Sequence, residues 1–218
     1  MEGFYMLKKG FTLAEVLITL GIVGVIAAIT LPNLSNNITA SQIGPKLAKA
    51  ASAFEQANKS FLDSQDVDAI TESEAFISTW GSPRRYGWLL SNFLNMTEMF
   101  SGNLFNYYSS GVYYLAKDGI VYQFDNMYLD DDDADLPPHK QKIGYIYIHI
   151  NGMQGHSLDG EDRFYFTLFN DGSLKPKGAQ GWGGEKTWRT ECPAGGIPDD
   201  YSYCAGHIFE NNLKVLYK

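Results

Sequence analysis

Two lysines and a long apolar run decide the fold of this chain: residues 8–32 read KKGFTLAEVLITLGIVGVIAAITLP. From residue 11 to residue 31 the run has 21 residues and one charged side chain, that of Glu15. A helix of this length, at about 1.5 Å per residue, is roughly 30 Å long and matches the apolar thickness of a bilayer. The sequence therefore predicts a transmembrane helix over residues 11–32, with the two lysines on the cytoplasmic side.

Glu15 needs a partner, because a carboxylate inside a bilayer costs roughly 2.5 to 3.5 kcal/mol on insertion scales. No lysine or arginine lies between residues 11 and 31 to provide one. A cut between Gly10 and Phe11 would supply the missing cation, since Phe11 would then carry a free amine one helical turn from Glu15. The pair could form within one subunit, or between parallel helices of two subunits, where it would set their axial register.

Two simpler interpretations of this segment are an ordinary signal peptide and a generic signal anchor. The apolar run is longer than a typical signal-peptide core, and no small-residue cleavage site follows it cleanly before Pro32. A signal anchor would explain the basic flank, but it would not explain Glu15.

Residues 8–18 closely resemble the cleavage and methylation motif of type IV prepilins and type II secretion pseudopilins. The resemblance implies that a prepilin peptidase, a membrane aspartyl peptidase, cuts after Gly10 and methylates the amine of the new first residue, Phe11. It also implies that Glu15 is the glutamate required for assembly. Pro32 stands where filament-forming members often have a helix-breaking proline.

The chain beyond Pro32 becomes polar, with apolar side chains at helical spacing, which predicts an amphipathic helix lying against a globular head. Pro45 predicts a bend, a local opening or a restart in that helix. Met1 and Met6 both remain possible starts. The predicted organisation is a leader at 1–10, a transmembrane and assembly helix at 11–32, its amphipathic continuation at 33–62, and the head at 63–218.

The head is predicted to contain a small antiparallel sheet packed against the long helix, which makes the fold class α+β. Asp118 and Gly119 favour a hairpin turn between two of its strands. A short helix is expected from about Thr71, ended by Gly81-Ser82-Pro83. The strands are expected at 112–116, 120–124, 143–150 and 164–169. A cluster predicted to cap the core comprises Trp88, Leu89, Leu90, Phe93, Leu94, Met96 and Met99.

Cys192 and Cys204 enclose a short loop rich in proline and glycine, in a head expected outside the cytoplasm, so the sequence favours a disulfide. Closing a loop of this size would contribute about 3 kcal/mol to stability. Two free buried thiols, or a zinc site that also uses His207, are the alternatives.

A dense carboxylate run, Asp130 to Asp133 with Asp135, raises the question of calcium, because hard cations favour clustered oxygen ligands. The run lacks the glycine and the terminal glutamate of an EF-hand, and blocks of like charge are usually solvated loops. The same question applies to Asp159, Glu161 and Asp162. No metal site is predicted, and calcium in the first run stays open.

An enzyme is not expected. His156, Ser157 and Asp159 are too close in sequence for a nucleophilic triad, whose members normally come from separate elements. No catalytic residue and no cofactor is therefore predicted. Four aromatic residues could instead bind a glycan or a protein, although packing roles are more common for such side chains. They are Tyr107, Tyr108, Trp182 and Trp188.

The resemblance implies a structural subunit of a type IV pilus or a type II secretion pseudopilus, with a minor tip subunit that acts as a binding module as the alternative. Its expected partners are prepilin peptidase, other pilin or pseudopilin subunits and an inner-membrane assembly platform. The expected location is the inner membrane, single-pass with a cytoplasmic amino terminus and an extracytoplasmic head, and then the filament. A net charge of −8 argues against nucleic acid as a partner. Pilus, secretion and competence systems share this helix, so the sequence does not distinguish which of the three systems the chain belongs to.

Overall fold

The computed structural model describes residues 12–30, 40–77, 80–99, 111–154, 158–196, 198 and 200–217. The chain divides into two compact units, Met1–Asn37 and Ile38–Lys218. The first contains a helix, and the second contains a helix packed on an antiparallel sheet. The fold is therefore α+β, as the sequence predicts.

Helix α1 spans Leu13–Thr30 in the first unit. Glu15 is the acidic residue of its first turn, and the large apolar side chains from Leu13 to Val25 are exposed. Among the described residues, no helix combines the length and the hydropathy needed to cross a bilayer. The transmembrane assignment of residues 11–32 therefore stays a prediction.

Helix α2 spans Ala40–Gln65 in the second unit. Its buried side chains recur every three or four residues, which places them on one face of the helix. They include Ile43, Leu47, Ala50, Phe54, Ala57 and Phe61. The helix continues through Pro45. The interruption expected there does not end or restart α2, because apolar residues buried on both sides of the proline offset its missing hydrogen bond.

The main sheet is a meander in which each strand pairs antiparallel with the next one along the chain. Two short strands precede it and pair with each other, β1 (Phe76–Ile77) and β2 (Trp80–Gly81). The six strands of the sheet are β3 (Met96–Glu98), β4 (Val112–Ala116), β5 (Val121–Met127), β6 (Lys142–His149), β7 (Arg163–Phe169) and β8 (Leu174–Pro176).

The hairpin between β4 and β5 confirms the turn expected at Asp118 and Gly119, where Gly119 takes the positive φ of 84° that the turn requires. The observed β4 has the predicted bounds, and the other three predicted strands differ by a few residues at their ends. The edge strands β3 and β8 were not predicted, because three residues are too few to show an alternating pattern.

The core lies between one face of the sheet and the buried face of α2. The ring of Phe54 lies 5.5 Å from the ring of Tyr122 and 5.8 Å from that of Phe124. The buried hydroxyl of Tyr122 donates a hydrogen bond of 3.0 Å to the carbonyl oxygen of Ala50. Asn58 of α2 also donates to the carbonyl oxygen of Gly172, and the side chain of Glu55 accepts from the backbone N–H of Leu174 on β8. Aromatic rings and these hydrogen bonds thus hold α2 on the sheet.

Helix α3 spans Pro83–Leu94 and begins at the proline that was expected to end a helix. Ser82 is its N-cap and accepts a hydrogen bond from the backbone N–H of Arg85, and Pro83 occupies its first turn. Proline is favoured at this position because its missing N–H has no partner there in any helix. Asn95 ends the helix in the left-handed conformation. The expected helix near Thr71 is only a 3-10 turn, Ile70–Glu72.

One side of α3 faces the core and the other faces solvent, so the predicted core cluster is only partly right. Leu89, Leu90 and Met96 are buried. Trp88 is 60% exposed and Phe93 is 37% exposed. The prediction that Trp88 caps the core is wrong, because the helical turn of α3 carries its side chain away from the sheet.

Two short helices, α4 (Trp188–Glu191) and α5 (Cys204–Glu210), follow the sheet. The chain then returns to Tyr217, whose ring lies 5.1 Å from that of His207 on α5. The hydroxyl of Tyr217 donates a 2.6 Å hydrogen bond to the carbonyl oxygen of Gly160. The end of the chain is thereby tied to the turn before β7.

The packing of Phe54 gives a prediction for stability. Phe54→Ala removes a fully buried ring and leaves a cavity between α2 and the sheet, so we expect the free energy of unfolding to fall by about 3–5 kcal/mol. Urea denaturation of the full chain in detergent, followed by tryptophan fluorescence, measures it. The exposed Ser60→Ala on the same helix is the control and should change the value by less than about 0.5 kcal/mol. A loss below about 1 kcal/mol in Phe54→Ala would contradict the packing described here.

Candidate functional site

The amino-terminal turn of α1 is closed by a reciprocal pair of hydrogen bonds between Thr12 and Glu15. The Thr12 hydroxyl oxygen accepts from the backbone N–H of Glu15 at 3.2 Å. In return, Oε2 of Glu15 accepts from the backbone N–H and from the hydroxyl of Thr12, each at 2.8 Å. This arrangement is a capping box, in which the side chains at N-cap and N3 satisfy backbone donors that the helix leaves unpaired.

The capping box fixes where the Glu15 carboxylate can act. Both hydrogen bonds from Thr12 fall on Oε2, so within the described part of the chain Oε1 has room to accept from a further cation. Both residues are exposed. The site can therefore hold a negative charge at the helix start, where the helix dipole favours it, with one oxygen that takes no part in the capping box.

The role of Thr12 was not predicted, although the sequence contains the signal for it. Thr12 and Glu15 form the pattern Thr-x-x-Glu directly before an apolar run, which is a known mark of a helix start. The other residues predicted for this site, Gly10, Phe11 and Pro32, lie outside the described residues.

The predicted disulfide is present. Cys192 follows α4 and Cys204 begins α5, and their sulfurs are bonded, with 5.4 Å between the Cα atoms. His207 lies one turn further along α5, and its Nδ1 is 2.8 Å from the carbonyl oxygen of Cys192. Because both sulfurs are engaged in the bridge, the zinc alternative does not hold in this structure.

Trp182 and Trp188 serve packing and hydrogen bonding. The ring of Trp182 meets that of Tyr203 edge-on at 5.6 Å, and its Nε1 donates to the carbonyl oxygen of Lys186. Nε1 of Trp188 donates to the carboxylate of Glu210 at 2.8 Å. These contacts favour the packing role for both residues. The other two aromatic candidates, Tyr107 and Tyr108, fall outside the described residues.

The acidic run lies between β5 and β6. Asp130 caps a 3-10 turn, Asp131–Asp133, and Asp133 lies 3.8 Å from the ammonium of Lys142. Near the start of β7, both carboxylate oxygens of Asp159 accept from the guanidinium of Arg163, at 2.6 and 2.9 Å. No group of three metal-ligating side chains is found within the residues that the structure describes.

A buried polar group that the sequence did not reveal lies on the face of the sheet opposite α2. Nε2 of His149 is 3.1 Å from Oε1 of Gln123. Arg163 is paired across the strands with His149 and is buried too. Burial, helped by the nearby positive charge of Arg163, lowers the pKa of His149 to about 3. His149 is therefore neutral at physiological pH.

Two of the residues weighed for catalysis, His156 and Ser157, lie outside the described residues.

The neutral state of His149 predicts a pH-dependent stability. The pKa of His149 is about 3 in the folded chain and ordinary, near 6.5, in the unfolded one. Between these values the unfolded state binds more protons, so the free energy of unfolding falls as the pH falls. Between pH 7 and pH 5 the wild type loses free energy of unfolding through this protonation. We expect that loss to be smaller by about 2 kcal/mol in His149→Gln.

Urea denaturation at the two pH values, for the wild type and each variant, measures this difference. The exposed His139→Gln is the matched control and should leave the loss unchanged. An equal loss in the wild type and in His149→Gln would refute the assignment.

Comparisons with known proteins find similarity to a family model in the amino-terminal segment and to one fimbrial protein over part of the chain. The family model described as the prokaryotic N-terminal methylation motif matches residues 5–31. The type IV major fimbrial protein FimA of Dichelobacter nodosus is 33% identical over 88 residues. That alignment covers 40% of this chain and 46% of the relative, so the chain spans less than half of the relative's length. No solved structure matches the chain significantly.

Proposed function

We propose, because the chain carries the prepilin-type N-terminal methylation motif, that it is a structural subunit of a type IV pilus or a type II secretion pseudopilus. The observation on which this proposal rests is the motif match at residues 5–31. The partial similarity to a type IV major fimbrial protein favours the pilus. Prepilin peptidase, other pilin or pseudopilin subunits and an inner-membrane assembly platform are its proposed partners.

Processing is proposed to occur between Gly10 and Phe11. The cut removes the leader and leaves Phe11 with a new amine, which is then methylated. It also places a cation next to the capping box of Thr12 and Glu15, since Phe11 directly precedes Thr12.

We propose that residues 11–32 cross the inner membrane once, with the amino terminus in the cytoplasm. The apolar side chains that α1 exposes support this proposal, because they need a lipid or protein environment. The basic pair at Lys8 and Lys9 favours the cytoplasmic side for the leader. The Cys192–Cys204 disulfide is typical of a head that folds outside the reducing cytoplasm.

Assembly is proposed to depend on the charge of Glu15. In an array of parallel helices, this carboxylate would be surrounded by apolar side chains, and a lone buried charge is strongly unfavourable. The amine of a neighbouring subunit would neutralise it. Since Thr12 occupies Oε2, Oε1 is the atom that accepts the incoming amine. The capping box thus holds the carboxylate at the helix start, ready for that contact.

The first test is the mass of the mature protein. In cells with prepilin peptidase, the membrane-extracted protein should begin at Phe11 and carry one additional methyl group at its amine. Without the peptidase, the leader should remain. Intact-mass and amino-terminal analysis of both preparations measure this. A protein left uncut in the presence of the peptidase, or cut after Leu31, would overturn the proposed function.

The second test separates the charge of Glu15 from its capping role. Glu15→Gln keeps an oxygen that can cap Thr12 but loses the charge, and Glu15→Ala loses both. If the charge drives assembly, both variants should insert into the membrane and yield few filaments, measured by shearing and immunoblotting.

Thr12→Val is the matched variant, because it removes the hydroxyl and leaves the charge. We expect it to weaken the helix start by about 1 kcal/mol and to reduce filament yield less than Glu15→Gln does. Normal filament yield in Glu15→Gln would show that the charge is not what assembly requires.

A further inference from the structure

The solvent-facing side of α3 presents an aromatic and basic surface in an otherwise acidic chain. This α3 surface consists of Arg84, Arg85 and Trp88. The two arginines lie four and three residues before Trp88, so all three side chains share one side of the helix. Trp88 is the most exposed of the large apolar side chains described beyond residue 40.

The α3 surface is held in place by the buried side of the same helix. Tyr86 and Leu90 are fully buried, and the hydroxyl of Tyr86 donates to the side chain of Asn58 on α2. Arg84 forms an ion pair of 2.9 Å with Glu98 on β3. Arg85 is exposed, and Trp88 stands beside it. The surface is therefore preorganised, which lowers the entropy that a partner's binding would cost.

Half of the arginines of this chain lie on the α3 surface. The sequence contains four arginines. Arg84, Arg163 and Arg189 form ion pairs with Glu98, Asp159 and Glu210, so Arg85 is the arginine on which the contact relies. Tryptophan and arginine are the residues most enriched at the energetic centres of protein interfaces. An exposed pair of this kind in a chain of net charge −8 points to an acidic protein partner.

The chain itself contains a matching surface. The acidic loop, residues 128–136 between β5 and β6, exposes the carboxylates of Asp130, Asp131, Asp132 and Asp135. Tyr128 and Leu136 at its two ends are exposed by 39% and 40%. The loop therefore combines negative charge with apolar side chains, as the α3 surface combines positive charge with an indole ring.

We propose that the α3 surface of one subunit binds the acidic loop of a second copy of this chain within the filament. Arg85 pairs with the exposed aspartates, and Trp88 packs against the apolar ends of the loop. Because the two surfaces differ, the contact is heterologous, and a heterologous contact that does not close into a ring extends into a helical filament. This inference rests on the proposed function. It names the contact between the globular heads of two subunits that would accompany the packing of α1.

The test uses two tagged full-length copies, one with Arg85→Cys and one with Asp132→Cys, expressed together in cells that make filaments. The native cysteines are joined to each other, so the introduced cysteine is the reactive thiol of each copy. A short bis-maleimide should crosslink the two kinds of copy in sheared filaments. Each variant expressed alone should give no crosslinked dimer.

In the matched control, a copy with Lys175→Cys takes the place of the Arg85→Cys copy. Lys175 is exposed on the edge strand β8, and this pair of copies should yield at least about tenfold less mixed dimer. Dimers from Arg85→Cys alone would indicate a symmetric contact and overturn the inference. Filaments that form normally without any mixed dimer would also overturn it and leave the proposed function intact. Failure of the wild-type chain to enter filaments would instead refute the proposed function.

Charge reversal gives a second readout that does not depend on thiol chemistry. Arg85→Glu should reduce filament yield about tenfold, and Asp132→Arg in the same chain should restore most of it. A loss of yield that the second substitution does not restore would argue against this pairing.

Discussion

The structure of the head depends on the contact between the aromatic residues of the sheet and one face of α2. Phe54 lies against Tyr122 and Phe124, and the Tyr122 hydroxyl ties the sheet to the backbone of α2 at Ala50. The sheet is a meander. If one of its strands slid by two residues, its side chains would still point to the same faces of the sheet. The rings and this hydrogen bond select one register, and they also leave α3 free to cover the edge of the core with its own apolar side.

The fold could be predicted from the sequence where the pattern was long. Residues 112–124 alternate around an Asp-Gly turn, and the structure has that hairpin. The sequence signals were misread where the residue type has two meanings. Pro83 was taken as a helix breaker, yet after the capping residue Ser82 it starts α3. The exposure of Trp88 follows from that helix, so it could not be predicted once α3 was missed.

The candidate site was predictable in its chemistry and less so in its geometry. Glu15 was recognised because a charge in an apolar run requires an explanation. The disulfide was predicted because Cys192 and Cys204 enclose a short loop in a head expected outside the cytoplasm. The hydrogen bonds of Thr12 were missed, although its spacing to Glu15 is visible in the sequence. Side-chain contacts between paired strands, such as that of Gln123 on β5 with His149 on β6, depend on register and leave no local signal. The tip-module alternative loses the support of Trp182 and Trp188, because both are half-buried and hydrogen-bonded to other residues of the head.

The order of the strands has a consequence for how the head reaches its native state. Every strand from β3 to β8 pairs with the strand that comes directly before or after it in the chain. In such a topology the contacts between paired strands are local in sequence, and local contacts favour rapid folding. The only covalent link between distant residues joins positions 12 apart, after the last strand. As the chain is synthesised or exported, each strand therefore finds its neighbour already in place, and the sheet can grow from α2 toward the carboxyl end without waiting for later residues.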